Sequence, residues 1–258
     1  VQPKQLDTLN ESTFSPKRLV ITVGDARVGK STMARLLLEL YLELNFKVLA
    51  YYNGSRNKLY PYNSLVPINK LTMTQGGADK LLIDLERCSD IHVAITDMPG
   101  QFIDNFKEFS QETLLFDSIA TLGYRITFIN PISHRQDCTD YLQELLDYCG
   151  NNADYVVVKN LHFGNYFPYY DGTNIQKRVL ATGGLELSLE TLWKDTYELV
   201  ESMVLPYSKA IQHPEIDLMN RSRIFNWKEE LIVQIQNNQA ARGLLGLSKS
   251  SQSSLIDF

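Results

Sequence analysis

The stretch RLVITVGDARVGKST, residues 18–32, decides the fold. Its opening, Arg18 to Val23, is a β-branched run that stops at a glycine, the pattern of a short buried strand. The next nine residues, Gly24-Asp25-Ala26-Arg27-Val28-Gly29-Lys30-Ser31-Thr32, contain the spacing G-x-x-x-x-G-K-[ST]. That spacing belongs to a loop that wraps phosphate. Beyond it, Met33, Leu36, Leu37, Leu40, Tyr41 and Leu44 recur at three-four spacing, so Ser31 to Phe46 reads as a helix. Lys47 to Tyr52 then reads as a second strand, which completes a strand, loop, helix, strand unit with a right-handed crossover.

The chemistry comes from these residue types. Gly24 and Gly29 permit the backbone angles that turn successive amides inward, and the start of the helix adds free N–H groups with partial positive charge. Lys30 is expected to neutralise the β- and γ-phosphates, the Ser31 hydroxyl to ligate Mg²⁺, and Thr32 to meet the α-phosphate. A second oxygen ligand is needed near such a metal. Asp97 fits that need, closing the apolar run Ile91 to Thr96 just before Met98-Pro99-Gly100, with a cap of the following turn as the alternative. In this D-x-x-G segment the Gly100 amide is placed to sense a γ-phosphate.

Further along, Asn53 to Gly76 is dense in Asn, Pro, Gly and Tyr and reads as a long irregular connection. Helices are expected over Ala78 to Arg87, Glu108 to Leu122 and Asp137 to Cys149. Strands are expected over Tyr124 to Asn130 and Asp154 to Val158, which makes five strands alternating with helices. Past Asn160 the pattern loosens into an aromatic loop (Phe163 to Asp171), a helix over Leu189 to Val200, a short strand over Ser202 to Leu205, and a mostly helical stretch from Asp217 to Arg242. The expected class is α/β, a doubly wound, mainly parallel sheet with flanking helices. Its organisation is a polar lead (1–16), one domain (17–244) and a flexible tail (245–258).

A chain of 258 residues with net charge −5 suits one large core and argues against a protein coated in nucleic acid. No stretch is apolar enough for a membrane span, and residues 1–16 carry no signal-peptide pattern. Cys88, Cys138 and Cys149 are odd in number and lack ligand spacing, which suits structural thiols in a reducing cytoplasm. His92, His134, His162 and His213 are scattered, so no metal beyond Mg²⁺ is expected.

Taken together, Gly24 to Thr32, Asp97-Met98-Pro99-Gly100 and the strand-ending Lys159-Asn160 resemble the ParA/MinD-type ATPases, whose phosphate loop is a deviant Walker A. The resemblance covers roughly residues 17 to 235. It implies ATP sandwiched in a homodimer that binds DNA, membrane or cargo partners until hydrolysis separates it, as in plasmid partition and cargo positioning. It also implies adenine recognition by Asn160 and by the Leu205-Pro206 segment; a capping role for Asn160 is the alternative. The sequence departs from the family twice. Asp25 stands where the signature lysine belongs, with Ala26 and Arg27 in place of two glycines, so Arg27 is a candidate source of positive charge, in its own subunit or across a dimer. Where the family commonly has D-x-D after the second strand, this chain has Tyr51 and Asn53. An amide cannot accept a proton as a carboxylate does, so hydrolysis assisted by Asn53 is expected to be slow.

Arg221, Arg223 and Lys228 are candidates for non-specific DNA contact, with a solvated helix face as the alternative. Tyr166, Phe167, Tyr169 and Tyr170 suit either a partner surface or local packing. Two other functional classes share the loop: a small-molecule phosphotransferase, with Asn53 to Gly76 and Arg56 as its lid, and a nucleotide-binding adaptor without useful catalysis.

Overall fold

A computed structural model of the chain describes residues 17–72, 78–100 and 102–247. The polar lead and the serine-rich run Ser248 to Ser254 lie outside the described residues. The strands are β1 (Lys17–Thr22), β2 (Val48–Tyr52), β3 (Ile68–Lys70), β4 (Val93–Asp97), β5 (Tyr124–Ile132), β6 (Ala153–Asn160) and β7 (Leu185–Leu189). They form one sheet in the order β3-β2-β4-β1-β5-β6-β7. Every neighbouring pair is parallel.

Parallel neighbours need crossovers, and these carry the helices to both faces. The helices are α1 (Lys30–Glu43), α2 (Asp79–Arg87), α3 (Ile103–Thr113), α4 (Leu115–Thr121), α5 (Gln136–Cys149), α6 (Asn174–Ala181), α7 (Lys194–Met203), α8 (Tyr207–Gln212), α9 (Leu218–Asn237) and α10 (Gln239–Leu244). Leu37 and Tyr41 of α1, Tyr207 of α8 and Trp227 of α9 gather with Val20, Ile95 and Val156 of the sheet. Leu85, Phe106, Leu115 and Leu142, from α2 to α5, gather with Leu19, Ile21 and Phe128 on the other face. Val20 and Ile21 thus serve opposite layers, as the period-two alternation of a strand requires. The doubly wound α/β expectation holds.

Several expected elements are corrected. β3 lies within the segment read as irregular; three residues carry too little pattern to announce a strand. Glu108 to Leu122 is not one helix: α3 and α4 are separated by Leu114, whose φ is 48° and ψ 48°. At about 100° per residue, Phe109 and Leu115 would sit roughly 120° out of phase on a continuous helix. The left-handed break lets both reach the same layer. Leu189 ends β7 instead of opening a helix, and α6 is an addition to the expected elements. Ser202 to Leu205 is no strand, because Ser202 and Met203 complete α7 and Val204 terminates it at φ 54°. The chain also stays packed beyond Leu244: Leu245 and Leu247 are buried.

Two polar devices hold the sheet. At the entry end of the strands, Asp154 of β6 accepts hydrogen bonds from Arg125 of β5 (Nε 2.9 Å, Nη2 2.8 Å) and from Arg18 of β1. On the outer strand, Ser188 of β7 donates its N–H to Gln234 Oε1 (3.0 Å) and accepts from Gln234 Nε2 (2.9 Å).

Candidate functional site

β1 is the central strand, and from it the chain first builds one side of the sheet and later the other. Ligands of such sheets bind beyond the carboxyl ends of the strands at this switch point. Residues 23–29 connect β1 to α1 there. The connection departs from extended backbone at Gly24 (φ 125°), Arg27 (φ 62°) and Gly29 (φ 104°). Alternation of this kind folds successive amides toward one concavity. Gly29 has a second reason to lack a side chain: a Cβ there would lie 2.8 Å from Asn160 Nδ2. No side chain caps the first amides of α1, and uncapped amides at a helix start suit an anion.

Lys30 is buried, and its ammonium donates to the loop's own carbonyls, Gly24 O at 3.2 Å and Asp25 O. Burial lowers its pKa, with Asp97 and Asp25 pulling the other way. Asp97 ends β4 in register with Thr22 of β1, whose hydroxyl donates to Asp97 Oδ1 at 3.3 Å. Burial raises the Asp97 pKa, opposed by a hydrogen bond from Ser31 and by the Lys30 charge. A desolvated carboxylate beside a hydroxyl suits a hard cation. Among the described residues no group of three or more His, Cys, Asp or Glu side chains could hold a metal. A Mg²⁺ ion at Ser31 and Asp97 would therefore draw its other ligands from phosphate and water, which is its habit.

The turn after Asp97 returns to the loop. A Cβ on Gly100 would sit 3.0 Å from Ala26 Cα and N, so backbone meets backbone there. The Asn53 N–H donates to Asp97 O at 2.9 Å, which places Asn53 at the same edge. Tyr51 is buried, and its hydroxyl donates to Asp84 Oδ2 at 2.9 Å, away from the loop.

Beside the loop opens a cavity of about 650 Å³. Arg27, Gly29, Lys30, Ser31 and Thr32 line the end of it that faces the loop, and Phe163, Leu189, Leu192 and Trp227 give it an apolar part. The face Lys194, Tyr197, Glu198 and Glu201 of α7 forms a further wall, with Arg35 of α1 paired to Glu201. Asn160 borders this cavity, but its amide is engaged: Nδ2 donates to Val28 O (2.9 Å) and Oδ1 accepts from the His162 N–H (3.1 Å). It is a buried brace for the loop, closer to the capping alternative than to a free base reader.

Other expected residues fall elsewhere. Pro206 precedes α8 and is not among the residues lining the cavity, whereas Leu189 at the end of β7 and Glu190 and Leu192 just after it do line it. The strand expected at Ser202 to Leu205, where α7 ends, is the cause. Lys228 is buried and paired with Glu43, so it is not available to nucleic acid, while Arg223 lies 4.3 Å over the Trp193 ring. In the aromatic loop, Phe167 and Tyr170 are buried, whereas Tyr166 and Tyr169 are exposed. Arg135, just ahead of α5, is a site residue that sequence reasoning misses. It forms a 2.6 Å ion pair with Asp25 and donates to Ala26 O at 2.7 Å. Its place on a loop after β5, at the ligand edge of the sheet, is the available signal.

Fold and loop together define a P-loop α/β protein. No protein-family model matches the chain, and no curated protein matches it. Among solved structures it is similar to the signal recognition particle receptor FtsY from Elizabethkingia anophelis in complex with GDP, with TM-score 0.44, 16% identity, and 70% of this chain and 58% of that one covered. It is similar to the MinD cell division protein of Aquifex aeolicus, with TM-score 0.48, 11% identity, and 84% and 97% covered. It is also similar to a nucleotide-binding protein in complex with ADP from Archaeoglobus fulgidus, with TM-score 0.46, 13% identity, and 74% and 88% covered. The chain spans 58% of the length of the first of these and 65% of a second FtsY structure from the same organism. Among the described residues no helix is long and apolar enough to cross a membrane.

Proposed function

We propose that the chain binds ATP with Mg²⁺ on residues 24–32 and Asp97, and that bound ATP controls the pairing of two copies in plasmid or cargo positioning, with slow hydrolysis. The reading is supported by what surrounds the loop: Gly29, Lys30, Ser31 and Thr32 line a cavity of nucleotide size, and the Asp97 carboxylate is influenced by both Ser31 and Lys30. The loop amides and Lys30 would hold the triphosphate, and Ser31 and Asp97 the Mg²⁺. The metal, when bound, neutralises charge on the β- and γ-phosphates. Phe163, Leu189, Leu192 and Trp227 offer the apolar surface that a base needs. Gly100, packed on Ala26, is where occupancy of the γ-phosphate position would be felt. Slow turnover is the expectation because Asn53 presents an amide where the family uses a carboxylate. ATP is proposed over GTP on the resemblance; GTP is the necessary competitor, because Glu190 and Glu198 also border the cavity.

Titration with a fluorescent ATP analogue, with ATP and GTP as competitors, tests the first step. Sizing with and without ATP and Mg²⁺, together with phosphate release, tests the second. Lys30→Ala is expected to abolish binding. Unchanged affinity in that variant would remove the proposed site. A monomer that passes phosphate to a metabolite would instead establish the phosphotransferase reading, and tight binding without turnover the adaptor.

A further inference from the structure

We propose that Arg135 is a positioning residue of the phosphate loop, acting through the Asp25 carboxylate and the Ala26 carbonyl; this rests on the nucleotide reading above. Asp25 is the position at which the resemblance would place a lysine. Here it is a carboxylate, 5% exposed, within the loop that is to receive an anion. Left alone, such a charge repels phosphate and loses hydration. Arg135 answers it from far along the chain, beyond β5.

The geometry is specific. Arg135 has extended backbone just before α5, and both its N–H (3.3 Å) and its Nε (3.4 Å) reach Ser133 Oγ, which fixes the root of the side chain. Its Nη2 then meets the loop twice, at Asp25 Oδ2 (2.6 Å) and at Ala26 O (2.7 Å). The aligned hydrogen bond goes to the carbonyl. Asp25 Oδ2 has no hydrogen-bond donor of its own, so charge attraction holds it.

The carbonyl contact has a consequence for the neighbouring amide. In a trans peptide the C=O and N–H point in opposite directions. Pinning Ala26 O on the Arg135 side therefore aims the Arg27 N–H to the other side. Arg27 is also the residue at φ 62°, the left-handed step of the anion concavity. The two preceding carbonyls, Gly24 O and Asp25 O, are held by Lys30. A Lys30 recruited to phosphate gives up those contacts, whereas the Arg135 contact to Ala26 does not depend on it. Arg135 thus keeps one loop peptide oriented while cancelling the one acidic charge inside the loop, and it does so without touching the nucleotide.

The test is a double-mutant cycle on the full chain. The proteins are wild type, Asp25→Asn, Arg135→Gln, the double variant and Arg135→Lys. The probes are Mg²⁺-ATP and inorganic tripolyphosphate, which lacks base and sugar, titrated by calorimetry, with Tm measured in the absence of ligand. Arg135→Gln exposes the loop to an uncompensated carboxylate, so both probes are expected to bind at least about tenfold more weakly, by a similar factor. The double variant is expected to recover a large part of that loss. Arg135→Lys falls between, since one ammonium does not reproduce the guanidinium fork. If Arg135→Gln does not fold, folding of the double variant with measurable binding supports the pairing, and its failure to fold refutes it. Binding of Arg135→Gln within twofold of wild type overturns the proposal. A double variant as weak as Arg135→Gln also overturns it, because cancelling the Asp25 charge would then play no part in binding. Wild type that binds neither probe sinks the nucleotide reading and this proposal with it; wild type that binds while Arg135→Gln is unchanged sinks this proposal alone.

Discussion

Gly29→Ala probes the join between loop and sheet. The residue sits at φ 104°, and a methyl group there would come 2.8 Å from Asn160 Nδ2, which donates to Val28 O at 2.9 Å. The substitution carries two costs. Left-handed backbone in an L-residue costs about 1–2 kcal/mol. Displacing the Asn160 amide forfeits a buried hydrogen bond worth about 1 kcal/mol net. At roughly 2–4 °C per kcal/mol for a chain of this size, the sum of about 2–3 kcal/mol lowers Tm by roughly 4–12 °C. The partner variant separates the terms. Asn160→Ala alone should cost about 1 kcal/mol through the same hydrogen bond. The double variant should then match Gly29→Ala, not the sum of the two singles. Thermal denaturation monitored by circular dichroism reads all four proteins. Full additivity, or a Gly29→Ala Tm equal to wild type, would refute the argument that Asn160 braces the loop through this contact.

Two further outcomes are expected. Asp97→Asn should leave ATP binding in EDTA largely intact and remove the gain in affinity on adding Mg²⁺, by about tenfold or more, measured by the same titration; a full Mg²⁺ effect in that variant would exclude Asp97 as ligand. At the opposite edge of the sheet, burial pushes the Asp154 pKa up, but hydrogen bonds from Arg125 and Arg18 outweigh it, so the folded value lies below the ordinary one. Its stabilisation is complete above the unfolded carboxyl pKa of about 4 and is lost as pH falls through the depressed folded value. Asp154→Asn should therefore lower stability at pH 7 by about 3 kcal/mol and flatten the acid limb of a stability-against-pH curve measured with urea; an unchanged acid limb contradicts the assignment.

The parts of the fold that the sequence reveals are those whose signals are local. The phosphate-loop motif declares itself because glycine spacing and lysine chemistry lie within nine residues, between an apolar strand and a run of helical periodicity. Asp97 is legible because a buried strand ends on it. Misreadings arise where distant contacts decide. Nothing in the sequence marks Glu39 and Arg35 as buried, yet both are, because α1 is covered nearly all round; Glu39 accepts from the Tyr62 hydroxyl at 2.8 Å and the Ser208 N–H at 3.1 Å. Lys228 looks free in the sequence, and folding sets it against Glu43. The expectation for Pro206 assumes a strand where the helix α7 runs. Arg135 stands so far along the chain from Asp25 that no local pattern could join them.

The amide of Gln234 does for β7 what an eighth strand would do. By filling both the donor and the acceptor of Ser188, it removes from the sheet margin a place where a foreign extended segment could add itself. At the other margin, β3 is three residues long and offers little template. One side chain and one short strand thus leave the two margins of the parallel sheet little template for pairing with another chain.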